Sequence, residues 1–381
     1  MNKGLTSFRA LAFFAIFLYH INPGPGYLGL QAGYLGVQAF FVLSGFLLTP
    51  ILLEMKANLN RKDFFVHFYG RRALRIFPLY YSYLAIVAIL SVAAIYLYGA
   101  SATVPLQRFI EQLPWTMTYT YDFFHASRYF EQTPFATHFW SLAVEEQFYL
   151  VWPLAIFFIA DRHLKRFLLL VAIAGPLMRF LSALILDAHT LPTLRQTDLA
   201  IYILPFSHFD AFAIGGYLSL YGKSRAVYRV WLFILSVVVL GMITGWLATG
   251  QILWDQLGYG PFMKDSYKYV WGYTLVNLMF GYVLVHVRDR TFMPALFEHR
   301  LLVYLGTISY GLYVFHFPVV WLVYNTMYRL PVIAQQSISL AITVIISAAS
   351  YKYMEKPMID LKDRFFARAS AGKAALVAVP D

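Results

Sequence analysis

The chain has 381 residues, of which 60% are hydrophobic, 19% aromatic and only 13% charged, with no cysteine and a formal net charge of +11. Soluble globular domains carry about 25% charged residues, so this composition excludes one and points to an all-α, polytopic integral membrane protein. The missing cysteines exclude disulfides, thiolate metal sites and a cysteine nucleophile. The basic excess reads as membrane topology rather than nucleic-acid binding, because of where it falls.

Continuous apolar runs, each long enough to cross ~30 Å of hydrocarbon, predict helices rather than the alternating strands of a barrel. We place about ten spans, at 5–21, 33–54, 79–98, 139–160, 165–186, 204–221, 229–249, 268–287, 301–325 and 332–353. An even count puts both termini on one side. Of the 30 Lys and Arg residues, 23 fall on that side, six on the other, and Arg179 lies inside a span. The positive-inside rule then places the termini in the cytoplasm. No linker, repeat or appended soluble domain is visible, so residues 1–357 are expected to form one membrane domain, followed by a cytoplasmic tail over 358–381.

The first span, LTSFRALAFFAIFLYHI, carries Arg9 near its start and His20 near its end. Eleven residues separate them, so they lie within ~20° of one helix face and ~16 Å apart along the axis. Arg9 interrupts the apolar run and no small-residue cleavage site follows, so this segment reads as a retained span rather than a signal peptide. Span two contains FFVLSGF at 40–46, where Ser44 and Gly45 suit close helix packing better than nucleophilic catalysis. Residues 60–77, with Phe64, Phe65 and Phe68 beside Arg71, Arg72 and Arg75, read as an amphipathic helix on the inner surface. The three arginines are candidates for an anion site, since guanidiniums a turn apart can grip phosphates bidentately. The external segment 99–137 is rich in aromatics, which reads first as an interfacial belt and lid and second as a platform for sugar rings.

Ionisable groups inside spans are functional candidates by default. Counted from the span ends, His20, Glu145, Glu146, Arg179, His208, Asp210 and His316 share one depth zone in the outer half, which suggests a common polar cavity. Glu145 and Glu146 are ~100° apart on their helix. Glu145 shares its ridge with His138, Ser141 and Tyr149, so it is the one expected to face inward. Arg179 reads as a counter-charge for an acidic partner.

In order along the chain, Arg9 with His20, FFVLSGF at 40–46, GRRALRIFPLYY at 70–81, WSLAVEEQFYLVWP at 140–153, FDAFAIGGYLS at 209–219, SYGLYVFHFP at 309–318 and YMEKP at 353–357 resemble the membrane acyltransferase-3 family. Its members are bacterial O-acyltransferases of surface glycans and some small molecules. The resemblance implies an acyl-coenzyme A co-substrate, usually acetyl-CoA, used from the cytoplasmic side, with no bound cofactor and no metal. It also implies a glycan hydroxyl or related acceptor on the outer side, and a bacterial cytoplasmic (inner) membrane location in contact with lipid. Its essential Arg-x10-His and Arg-x-x-Arg pairs correspond to Arg9, His20, Arg72 and Arg75. Many relatives continue into an outer hydrolase-like domain, whereas this sequence stops about 25 residues after YMEKP.

Together these readings predict an O-acyltransferase, most simply an O-acetyltransferase. His20 would serve as general base or acyl relay with Glu145 orienting it, Arg9 would pair with the donor, and Arg71, Arg72 and Arg75 would hold its phosphates. Ser44, Ser141, Glu146, Tyr149, Arg179, Asp210 and His316 would line or support the cavity. The rival reading is a transporter or flippase for a lipid-linked glycan or anionic lipid, using the same charges as a pathway; a weaker one is an acyl channel serving a separate enzyme.

Overall fold

A computed structural model describes residues 2–21, 30–189, 197–252, 254–263 and 266–366. Arg195 and Lys264, which entered the charge count, and the tail beyond 366 lie outside these residues. The described residues form α-helices joined by loops and short 3-10 turns, and by a π-helical stretch at Tyr351–Glu355, with no strand among them. The first half comprises α1 (Lys3–His20), α2 (Gly36–Asn58), α3 (Arg61–Tyr98), α4 (Val104–Met117), α5 (Tyr121–Ala126), α6 (Trp140–Phe158), α7 (Asp161–His189) and α8 (Thr197–Ile203). The second comprises α9 (Phe209–Tyr221), α10 (Tyr228–Thr249), α11 (Lys268–Arg288), α12 (Pro294–Phe297), α13 (Arg300–Thr307), α14 (Ser309–Thr326), α15 (Val332–Ser350) and α16 (Lys356–Phe365).

Six helices are long and apolar enough to cross a membrane, or up to seven if the pair α13 and α14, bent by 74°, is one span. Helices α1, α6 and α9 are not among the six. The first two carry charged side chains along their length, and α9 has 13 residues. All three turn their polar groups into the bundle, where these find partners instead of lipid, while α6 also presents Leu150, Val151, Leu154 and Phe158 outward. In α1, buried residues such as Leu5, Phe8, Ala10, Ala12 and Phe13 run right round the circumference, the pattern of a helix enclosed on all sides. Its N-cap is the Asn2 side chain, which accepts from Leu5 N at 3.3 Å and donates to Arg288 O at 3.0 Å, tying the start of α1 to the end of α11.

Close approach at the centre depends on missing side chains. A Cβ on Gly45 would stand 2.0 Å from Phe212 O, and one on Gly215 would stand 2.0 Å from Val42 O. The α2 and α9 backbones therefore touch across a reciprocal glycine contact, the small-residue packing expected at Gly45.

Three features differ from expectation. The amphipathic helix and the third span are one helix of 38 residues running through Pro78, because a proline removes a single backbone donor and need not end a long helix. The ninth span is broken at Ile308 between α13 and α14, beside Gly306, whose missing Cβ admits Thr6 O. The aromatic segment after α3 does not stay beyond the helix ends but folds back into the bundle. Tyr80 Oη donates to Thr116 O at 2.9 Å and Tyr81 Oη to Met117 O at 3.0 Å, so α4 returns roughly 27 Å down the length of α3. Gln147 of α6 holds the tip, donating to Tyr119 O at 2.8 Å and Asp122 Oδ1 at 2.9 Å. Irregular backbone is tolerated at such depth only when protein groups satisfy it, and these side chains do so.

Candidate active site

A cavity of about 680 Å³ opens in the middle of the bundle, lined from α1, α2, α3, α6, α11 and α14. At one end stand Arg9, Arg71, Arg72, Arg75 and Arg288; Ser44, Glu145, Glu146 and Tyr149 follow, and Ser141 and Tyr313 close the other end. Arg9, Arg72 and Arg75 have no hydrogen-bond or ion-pair partner among the described residues. Arg72 lies flat over the Tyr149 ring, its Cζ 3.8 Å from the centroid, and Arg9 is within electrostatic reach of Arg75, Tyr149, Arg72 and Glu145. Three cations facing one space repel one another, and the two carboxylates that share the cavity, Glu145 near Arg9 and Glu146 near Arg72, offset only part of that charge. Arg71 differs, because its guanidinium donates to Phe366 O beyond α16. Arg288 is likewise engaged, donating to Ser219 O and Gly222 O, and its bond to Asp289 holds that carboxyl below the usual carboxylate range.

Glu145 Oε1 accepts from both Ser44 Oγ and Tyr149 Oη. It therefore sits beside Arg9 and not beside His20, a correction to the orienting role expected of it. Glu145 lies seven residues inward of His138, which sits in the 3-10 turn leading into α6, a separation of ~10 Å along the axis, whereas His138 is level with the His20 end of α1. Glu146 also lines the cavity, as expected of a supporting residue, although Glu145 was the one preferred to face inward. The cavity wraps around α6 widely enough to admit both: Glu145 toward α2, and Glu146 toward Arg72, Tyr80 and Tyr310.

His20 stands beyond the cavity, beside His316, which lies one turn past Tyr313 on α14. Its Nδ1 is 2.9 Å from His316 Nε2, with the rings stacked at 5.1 Å. His138 packs edge-on against His316 at 5.2 Å between ring centres. Between the histidines and the cavity, Ser141 Oγ and Tyr313 Oη are hydrogen-bonded, and Tyr313 Oη donates to His138 O at 2.9 Å.

The shared polar cavity expected from depth thus resolves into three groups, because depth along a helix says nothing about which way a residue faces. Arg179 and Asp210 form a separate, fully buried pair. The carboxylate takes Arg179 Nη1 at 3.1 Å, Nη2 at 2.9 Å and Thr274 Oγ1 at 2.6 Å. Neither residue lines the cavity. His208 is also structural, held between Gln38 at 2.8 Å and Tyr202 O at 2.7 Å. Asp210→Asn leaves the Arg179 cation uncompensated and is expected to destabilise the protein by about 3–5 kcal/mol. Thermal unfolding in detergent checks this, and an unchanged Tm would mean the pair contributes nothing.

Sequence reading did not single out Tyr313, Tyr119 or Arg288. Tyr313 was accessible, being three residues before His316 and so on the same face. Tyr119 was not, since it reaches the cavity only because its segment folds back.

The chain matches the family model described as "Acyltransferase domain" over residues 2–352. It belongs to this acyltransferase family. The chain is 26% identical to the peptidoglycan O-acetyltransferase OatA of Listeria monocytogenes over 373 residues, 92% of this chain and 54% of that protein. It is 25% identical to the O-acetyltransferase OatA of Staphylococcus aureus over 367 residues, 93% of this chain and 57% of that one. The chain thus spans somewhat over half the length of the curated relatives it matches. No solved structure matches it. With its apolar helices and these relatives, the chain is a multi-pass membrane protein.

Proposed function

We propose that this chain is a membrane O-acetyltransferase that takes acetyl-CoA at the arginine end of the cavity and delivers the acetyl group to a hydroxyl, that of a surface glycan or related acceptor, at the His20 end. The observation that carries this reading is the set of three unpaired guanidiniums, Arg9, Arg72 and Arg75, facing one cavity. It suits the phosphates of a coenzyme A ester. With ten spans and both termini in the cytoplasm of a bacterial cell, the arginine end faces the cytoplasm and the His20 end faces outward. Helices α1, α6 and α9, whose polar groups face the bundle rather than lipid, supply the additional crossings.

In this scheme His20 takes the proton of the acceptor hydroxyl as its oxygen attacks the thioester carbonyl. The C–S bond then breaks, and the proton passes to the departing thiolate, so ester and coenzyme A are the products. Opening of the Ser141 and Tyr313 pair joins the cavity to His20, and the arm of the donor passes through. Glu145, tied to Ser44 and Tyr149 at the height of Arg9, balances the cations rather than serving the base.

The test is transfer from acetyl-labelled acetyl-CoA by the purified chain in lipid nanodiscs, with surface glycan as acceptor and mass spectrometry of the product. Label on a glycan hydroxyl is the expected result. Donor consumption without an acetylated hydroxyl, or glycan crossing a bilayer without acetylation, would overturn it in favour of a channel or a flippase.

A further inference from the structure

A neutral imidazole carries one N–H and one lone pair, and the partner of one nitrogen decides the role of the other. His316 Nδ1 lies 2.7 Å from Tyr313 O, one turn back on its own helix. A carbonyl oxygen only accepts, so the proton of neutral His316 is on Nδ1 and its Nε2 presents the lone pair. That lone pair faces His20 Nδ1 at 2.9 Å, so the proton of His20 is on Nδ1 in turn. His20 Nε2 is left as the basic nitrogen, and it has no hydrogen-bond partner among the described residues.

We propose that His316 is the positioning residue of His20: it accepts from His20 Nδ1 and thereby holds Nε2 in the unprotonated state, aimed away from α14 toward the acceptor hydroxyl. This rests on the reading of His20 as the base. The ring of His316 is itself fixed from two further sides. Phe13 of α1 meets it edge-on at 5.6 Å and 89°, and His138 meets it at 76°. His138 does not take the His20 proton: its Nε2 donates to Val314 O at 3.2 Å, which puts its lone pair on Nδ1, and that atom has no hydrogen-bond partner among the described residues. That carbonyl is available because Pro318, four residues on, has no N–H to give it. The FHFP run at 315–318 therefore supplies both the ring that sets the tautomer and the proline that keeps the third histidine occupied.

The test is the tautomeric state of His20 in the full-length protein, labelled with ¹⁵N-histidine in nanodiscs and read by NMR, with its signal assigned by its loss in His20→Gln. Wild type is expected to show His20 protonated at Nδ1 only. His316→Phe keeps a ring in the same packing but offers no acceptor. It is expected to shift His20 toward the Nε2–H form and to lower kcat by about 10–100-fold with little change in KM for acetyl-CoA. His316→Gln, whose amide oxygen can accept at the same place, is expected to recover the wild-type tautomer and most of the rate. It also keeps the proposal open to test should the phenylalanine variant fail to fold. Finding His20 protonated at Nε2 in wild type overturns the proposal, as does an unchanged tautomer or an unchanged kcat in folded His316→Phe. If His20→Ala transfers acetyl at the wild-type rate, the base reading fails separately, because the tautomer measurement does not depend on activity.

Discussion

Replacing His20 with alanine is expected to lower acetyl transfer at saturating donor by about 10²–10⁴-fold, the usual contribution of a positioned general base. The loss falls on kcat, since His20 stands ~16 Å along α1 from Arg9 and beyond the Ser141 and Tyr313 pair that ends the cavity. Donor affinity, read by binding of a non-transferable acetyl-CoA analogue, is expected to stay within about twofold of wild type, a change of under 0.5 kcal/mol. The two readouts together separate lost chemistry from a collapsed bundle, which would lower both. Wild-type transfer in the alanine variant would remove His20 from the reaction. Weakened donor binding of the same size would instead make it a packing residue of α1.

Arg72→Ala and Arg75→Ala are expected to show the reverse pattern. A hydrogen bond to a charged group contributes about 1.5–3 kcal/mol, so each substitution should raise KM for acetyl-CoA by about 10–150-fold, with a much smaller change in kcat. Arg72→Lys should not recover the loss, because the guanidinium is held flat over Tyr149 with Cζ 3.8 Å from the ring centre, and an ammonium has no planar face to stack. Arg71→Ala is expected to matter less for the donor, because that side chain is already bound to Phe366 O. Measured by initial rates across donor concentration, an unchanged KM in both alanine variants would leave the cluster with only its role in setting topology.

These opposite signatures follow from a division of labour along α1. Its Arg9 end stands among arginines that outnumber the two carboxylates, Glu145 and Glu146, sharing the cavity. Its His20 end stands among histidines whose hydrogen bonds end on a backbone carbonyl. Glu145 with Ser44 and Tyr149 stands level with Arg9, and Ser141 with Tyr313 lies between the two ends. The cavity therefore grades from charge to neutral hydrogen bonding along the route proposed for the donor.

Much of this was legible in the sequence. The apolar runs identified a helical membrane protein because hydrocarbon demands backbone satisfaction within each span, and that demand is local. The eleven-residue spacing of Arg9 and His20 put them on one face because helix geometry is local too. The ordered motifs, from FFVLSGF to YMEKP, carried the family. What depended on neighbours was less accessible. Depth counting grouped Glu145, Arg179, Asp210 and His316, but the rotation of each helix sent them to three different places. The sequence also offered no sign that residues 104–126 turn back beside α3, since that path depends on Tyr80, Tyr81 and Gln147 meeting carbonyls far along the chain.

By itself, then, the sequence determined the class of protein, the family, and the residues placed by a single helix: Arg9 with His20, and Arg72 with Arg75. Only the tertiary structure decided which groups stand together. It put His316 rather than Glu145 beside His20, moved Arg179 and Asp210 into a closed pair, and brought Tyr119 to the cavity wall. The physical reason is one of range. Periodicity and charge placement act within a helix, whereas a hydrogen bond such as the one between His20 and His316 joins residues 296 positions apart, and its geometry is set by how whole helices pack.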